Sequence, residues 1–326
     1  MDPVHAFLGP AAGARRARRV HGGRGLSRTV LLSGGTGGAK LARGLVEASD
    51  QLTVVANTAD DVEVYGVHVS PDPDLITYWL ADEIDERGWG LRGDTEVVMD
   101  ALRAAGRDTW FHLGDRDLAM CLVRTEALGA GRRLTEAHAE VVAALGVGAR
   151  VLPMSDERVS TWVEAAGRWM PFQEFMILEH AEGRVTGVEL RGIERARPSE
   201  EVLAALASAQ LIVIGPSNPV ISIGPILDLP GMRAALLAAP GPVVAVSPFV
   251  EGRASKGPTE SFCAWAGIEA SAEGIARAYG EVVDGLVADE PVDSLPCLVT
   301  DTLMDTPSRR SQLALKILEF GRNLAV

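Results

Sequence analysis

The stretch TVLLSGGTGGAKLARGLVEASDQLTVVANTADD, residues 29–61, decides the fold. TVLLS is an apolar run rich in β-branched residues, closed by the glycine cluster Gly34-Gly35-Thr36-Gly37-Gly38. AKLARGLVEA then sets Leu41, Leu45 and Ala48 four and three residues apart, the spacing of one helix face. QLTVVANTADD follows as a second strand with a polar end. Strand, glycine turn, helix and strand in that order predict a parallel sheet with a right-handed crossover.

The same rhythm extends outward. LITYWLADEID from residue 75 and residues 94–105 read as helices, and WFHLGDRDLA as a short strand breaking into a charged loop. RLTEAHAEVVAALGV reads as a helix with Thr135 as its N-cap, followed by the strand-like pieces ARVLPMS, VSTWVEA and RVTGVEL. This texture over residues 121–194 predicts a small α+β lobe inserted into a core of residues 29–120 and 195–326. SEEVLAALASA is a helix capped by Ser199, and LIVIG is a strand apolar enough to be buried on both faces. MRAALLAA and PVVAVSPFV continue the alternation, and two helices with short strands complete the chain.

Charge narrows the function. The 326 residues carry 31 Lys and Arg against 44 Asp and Glu, a net −13. Residues 1–28 hold six arginines and one aspartate, +5, so the remainder is near −18; those 28 residues read as a disordered basic tail. An acidic body excludes a general binder of nucleic acid and suits carboxylates that hold a divalent metal. Three scattered cysteines without a CxxC pair fit reduced thiols in a cytoplasmic protein. No apolar run approaches the ~18–20 residues that span a bilayer, and the arginines of the tail follow its weak apolar patch, the reverse of a signal peptide.

Three acidic loops and two glycine loops stand out. Gly34, Gly35, Thr36, Gly37 and Gly38 open a helix whose free N–H groups suit a phosphate. The loop is neither GxGxxG nor a P-loop, since Leu41 follows Lys40. Asn57, Asp60 and Asp61 follow the second strand, where open parallel sheets bind ligands. Such an adjacent pair either shares a metal and a substrate hydroxyl or is a solvated loop. Asp72 and Asp74 flank Pro73, and His112, Asp115, Arg116 and Asp117 form a third cluster. Ser217 and Asn218, after LIVIG, suit a second phosphate or a base edge, or make a structural turn. Ser155 to Arg158 precede VSTWV, within reach of the cleft. The histidines lack metal-ligand spacing, and neither HExxH nor GxSxG occurs.

Taken in order, LLSGGTGGAKLARGL, VVANTADD, SPDPDLITY, RGWGLRGDT, HLGDRDLA, LPMSDERVSTWV and IGPSNPVISIGPIL resemble the 2-phospho-lactate transferase family of coenzyme F420 biosynthesis, which includes a phosphoenolpyruvate transferase form. The resemblance covers nearly all of residues 29–326. It implies a Rossmann-like, mostly parallel sheet flanked by helices, a smaller lobe, and a homodimer. It implies a guanosine diphosphate derivative carrying lactyl or enolpyruvyl on its distal phosphate as donor, and the deazaflavin Fo as acceptor. The terminal ribityl hydroxyl attacks the distal phosphorus, GMP leaves, and F420-0 or its dehydro form results, with Mg2+ required. On these positions Asp61 and Asp74 become the metal-binding or acceptor-orienting pair, supported by Asp60, with Arg116 and Lys40 meeting phosphate charge. Acceptor contacts fall near Asp74 and His112, and Asn218 faces the guanosine. The alternative is a nucleotide-sugar-binding regulator on the same fold that transfers nothing.

Overall fold

The computed structural model describes residues 28–254 and 257–325; apart from Arg28, the expected basic tail lies outside them. TVLLS lies within β1 (Arg28–Ser33), buried from Thr29 onward. The chain turns at Gly34 into α1 (Gly35–Ala48), which buries Leu41, Ala42 and Leu45, and returns as β2 (Gln51–Ala56), parallel to β1 with Leu31 opposite Val54.

A hairpin of β3 (Val62–Val64) and β4 (Val67–Val69) leads into α2 (Pro71–Leu80), where proline occupies the first turn, a place with no amide to lose. Next come α3 (Val97–Ala104), α4 (Asp115–Gly129), α5 (Leu134–Ala144) and β5 (Arg150–Pro153). An antiparallel lobe follows: β6 (Ser160–Ala165), β7 (Arg168–Pro171), α6 (Phe172–Ile177) and β8 (Val185–Arg191). The remaining elements are α7 (Glu200–Ser208), β9 (Leu211–Ile214), α8 (Gly224–Leu227), α9 (Met232–Ala238), β10 (Val243–Val246), the short pair β11 (Phe249–Val250) and β12 (Arg253–Ala254), α10 (Thr259–Ala266), α11 (Ala272–Tyr279), β13 (Gly285–Ala288), β14 (Cys297–Val299) and α12 (Pro307–Leu324).

Seven strands form one parallel sheet in the order β14-β13-β10-β9-β1-β2-β5. The order reverses between β1 and β9, and a crevice opens there beyond the strand ends. Alternate residues of β1 face opposite layers. Val30 and Leu32 pack with α7, α9 and α11 through Val202, Leu236 and Ile275, while Leu31 packs with α1, α2 and α12 through Leu41, Ile76 and Ile317. Both faces are therefore dry, which is why β9 is apolar at every position.

Several expectations shift. Arg150–Pro153 pairs with β2 at the edge of the main sheet, so the antiparallel lobe proper begins at Ser160. Residues 110–113 form no strand, and GDRD opens α4, whose first turn holds Asp115 and Asp117. Arg133, not Thr135, occupies the N-cap position of α5, where Glu136 and Asp156 accept from the Arg133 and Thr135 amides, whereas Ser199 caps α7 by accepting from the Val202 amide. The lobe's core of Val163, Phe175 and Val188 also recruits Ile221 and, from α10, Phe262.

Leu31 is fully buried beneath α1. Leu31→Ala should cost about 2–5 kcal/mol of unfolding free energy, read as a lower urea midpoint at unchanged slope.

Candidate active site

Both strands at the reversal end in glycine turns, and the two turns are joined. Ser217 Oγ donates to the Gly34 carbonyl at 2.5 Å and accepts from the Gly34 amide at 3.4 Å. The approach is close enough to demand glycine: a Cβ on Gly37 would lie 2.3 Å from the Pro216 carbonyl oxygen. Gly35, with φ of +62°, begins α1 in the left-handed region. Asn218 Oδ1 accepts from the Val220 and Ile221 amides at 2.9 and 3.2 Å, while its buried Nδ2 has no partner among the described residues. These turns wall a cleft of about 240 Å3, which Asp60, Asp72 and the lobe residue Phe172 also line.

The loop after β2 brings the acids. Asn57, fully buried, donates from Nδ2 to Asp72 Oδ2 at 3.0 Å and to the Ile221 carbonyl at 3.4 Å, while its Oδ1 accepts from the Ala59 amide. Asp72 Oδ1 accepts the Gly35 amide at 2.6 Å, so a carboxylate rests on the first N–H of α1. Asp61 Oδ2 accepts from Ser70 Oγ at 2.6 Å and pairs with His68 Nε2 at 3.0 Å; His68 Nδ1 lies 2.9 Å from Glu63. Burial of His68 disfavours its charged form, yet the hydrogen bond and charge of Asp61 prevail and raise its pKa.

Burial pushes Asp60 well above the usual carboxylate range, and the charges of Asp72 and Asp61 add to the rise. Burial also lifts Asp72 to about 6, against the hydrogen bonds from Gly35 and Asn57. Asp60 Oδ1 and Asp61 Oδ1 are buried without partners among the described residues. Oxygen donors, excess negative charge and unsatisfied lone pairs are what a hard divalent cation requires; Mg2+ commonly takes one or two carboxylates and completes its shell with water and phosphate oxygens. The residues present fit Mg2+.

The structure thus gathers Gly34, Gly35, Thr36, Gly37, Asp60, Ser217 and Asn218 around one cleft. Asn57 supports it, Asp61 lines the adjoining cavity, and Gly38 packs against Ser33 and Ser217. Five expected residues stand apart. Asp74 turns away from Asp72 and pairs with the guanidinium of Arg124, itself fully buried; it lines neither the glycine cleft nor the two cavities that Asp61 borders, although the charge of Asp61 still reaches it. Arg116 binds the Arg92 carbonyl at 2.6 Å and Glu83 at 3.3 Å, securing the segment before α3. Asp115 accepts from Thr95 and from the Val97 and Val98 amides, fixing the start of α3. His112 pairs with Glu96 at 3.0 Å and meets the edge of Trp89. Lys40 directs Nζ to the Trp79 ring, 6.0 Å from its centroid, and does not line the cleft. Asp72 is the site residue that sequence reading placed near the site without choosing it.

Comparison with known proteins agrees with this architecture. The profile of the family described as 2-phospho-L-lactate transferase CofD matches residues 29–302. The chain is 38% identical to the phosphoenolpyruvate transferase of Kitasatospora aureofaciens, covering 88% of this chain and 97% of that one. It is 39% identical to the 2-phospho-L-lactate transferase of Methanosarcina acetivorans, covering 87% and 96%. Among solved structures, protein BH3568 from Bacillus halodurans superposes with a TM-score of 0.54 at 18% identity, covering 89% and 90%, a likeness of fold.

Because Asp60 and Asp72 have raised pKa values in the folded chain, folding takes up protons at these groups. Their stabilising contribution is greatest in acid and is lost as pH rises from about 4, the unfolded carboxylate value, through the folded values. In EDTA, Asp60→Asn should therefore raise Tm relative to wild type, by a margin that widens from pH 4 to pH 7.5. Differential scanning calorimetry across that range is the check; a margin independent of pH would contradict the placement of this charge.

Proposed function

The chain belongs to the 2-phospho-L-lactate transferase CofD family and is a CofD-type transferase of coenzyme F420 biosynthesis, and from that premise we propose the reaction its cleft performs. The donor is guanosine diphosphate bearing an enolpyruvyl or lactyl group on the distal phosphate, and the acceptor is the terminal ribityl hydroxyl of the deazaflavin Fo. One observation carries the reading: a glycine turn at a helix N-terminus and the buried Asp60, whose Oδ1 has no partner among the described residues, line a single cleft at the sheet's reversal, with Asp61 Oδ1 likewise unpartnered in the adjoining cavity.

The diphosphate lies along Gly34 to Gly37, where backbone N–H groups and the positive end of α1 meet its charge. The unpartnered Nδ2 of Asn218 offers a donor to the guanosine end. Asp60 and Asp72 would hold Mg2+, which would supply charge neutralisation at the phosphate oxygens and lower the pKa of the attacking hydroxyl. Asp61, anchored through Oδ2 by Ser70 and His68, directs Oδ1 to the acceptor hydroxyl and takes its proton. The hydroxyl oxygen bonds to the distal phosphorus. The bridging P–O bond breaks, and GMP departs with the electron pair.

Purified protein supplied with Fo, Mg2+ and either guanylylated phosphoenolpyruvate or guanylylated phospholactate should release GMP in step with a new Fo phosphodiester, both read by mass and both abolished by EDTA. Failure with both donors by protein that still binds GDP would overturn the reading. The faster donor identifies the three-carbon unit. Asp60→Asn and Asp61→Asn should lower kcat by roughly 100-fold or more. Arg116→Ala should stay within about tenfold, since its guanidinium holds a backbone segment outside the cleft.

A further inference from the structure

A second cavity, of about 510 Å3, adjoins the glycine cleft and shares Asp60 and Phe172 with it. It opens between the acidic loop and the lobe. The carboxylates of Asp60, Asp61, Glu63 and Glu174 line it together with three arginines, Arg158, Arg191 and Arg195.

Two of these cations are already engaged. Arg191 stacks 3.7 Å from the Trp162 ring centroid and donates to Glu189 at 3.0 Å. Arg195 pairs with Glu194 at 3.3 Å, with 82% of its side chain exposed. The guanidinium of Arg158 has no ion-pair or hydrogen-bond partner among the described residues, and it also borders the neighbouring cavity that holds Asp61 and His68. Its backbone is nevertheless fixed. The Thr161 amide donates to the Ala59 carbonyl at 2.7 Å, tying the start of β6 to the acidic loop. Gly192, at φ +90°, closes so tightly that a Cβ there would lie 2.5 Å from the Arg158 carbonyl oxygen. A rigid mount carrying an unpaired guanidinium beside carboxylates is arranged for an incoming anion.

We infer that Arg158 binds the carboxylate of the three-carbon acid carried on the donor's distal phosphate. The inference rests on the transferase reading above. In that reading the diphosphate takes the glycine turn and the acceptor hydroxyl takes Asp61, which leaves the carboxylate as the donor's remaining charge. Beside Asp60 and Asp61 it would be repelled unless a cation met it, and a guanidinium matches a carboxylate with two parallel hydrogen bonds. The residue therefore selects the acid rather than performing the transfer.

The test pairs each donor with its carboxamide, equal in shape and neutral. Wild type should prefer the carboxylate by roughly 10- to 100-fold in kcat/KM, the range of a charged hydrogen-bonded pair. Arg158→Gln should lose that factor on the carboxylate donor, mainly through KM, and accept both donors alike. Arg158→Lys should recover part of the preference. Equilibrium binding of GDP, which lacks the acid, should be the same in all three proteins. If Arg158→Gln keeps the preference, or loses activity equally on both donors, the assignment of Arg158 falls while the transferase stands. If wild type turns over neither donor, the transferase reading falls, and this inference with it.

Discussion

Buried negative charge is the constraint around which this protein is built. Asp60 and Asp61 lie in the loop after β2 and Asp72 at the start of α2, with one imidazole beside them. Withdrawing carboxylates from water is costly unless donors replace the lost hydration. The fold supplies those donors from fixed places: the Gly35 amide, the Asn57 side chain and the Ser70 hydroxyl. Each donor is set by the sheet or by the turn that follows it. The glycine turn, the Asn57 loop and the entry to α2 are thus joined into one hydrogen-bonded arrangement.

A second buried charge system lies behind the first and serves a different purpose. Arg124 of α4 joins Asp74 of α2 and donates to the His68 carbonyl at 3.1 Å. Tyr78 donates to Asp117 at 2.5 Å, and His138 of α5 hydrogen-bonds Thr77 through Nε2 at 3.2 Å. Burial and the nearby charge of Arg124 hold the His138 imidazole neutral, its pKa well below the ordinary value. This network fastens three helices together and fixes the strand that carries His68. It stabilises the platform beneath Asp61 and leaves the cleft's own charges uncompensated.

The sheet was legible because its signals are local. TVLLS, the glycine cluster and the spacing of Leu41 and Leu45 specify strand, turn and helix within twenty residues, and LIVIG announces a strand covered on both faces. The split between Asp72 and Asp74 was not, because it depends on where α2 begins. With Pro71 in its first turn, two residues rotate the side chain by about 200°, sending Asp72 to the cleft and Asp74 to Arg124. As part of a loop, the pair looks equivalent. Arg124 went unnoticed for a related reason: GDRDLA reads as a charged loop rather than the start of a helix, and the partner that buries the arginine lies fifty positions away in the chain. The lobe boundary failed likewise, since ARVLP is a strand of either sheet until its pairing with β2 is known.

The contact between Asp72 and the first amide of α1 means that the glycine turn already holds a negative group. A bare helix N-terminus accepts any small anion, and a cell is full of phosphate. Here the first amide is already engaged by a tethered carboxylate, so an anion reaching for it meets a like charge. In the proposed reaction a donor arriving with its own cation would give Asp72 a new partner as it takes the vacated amide.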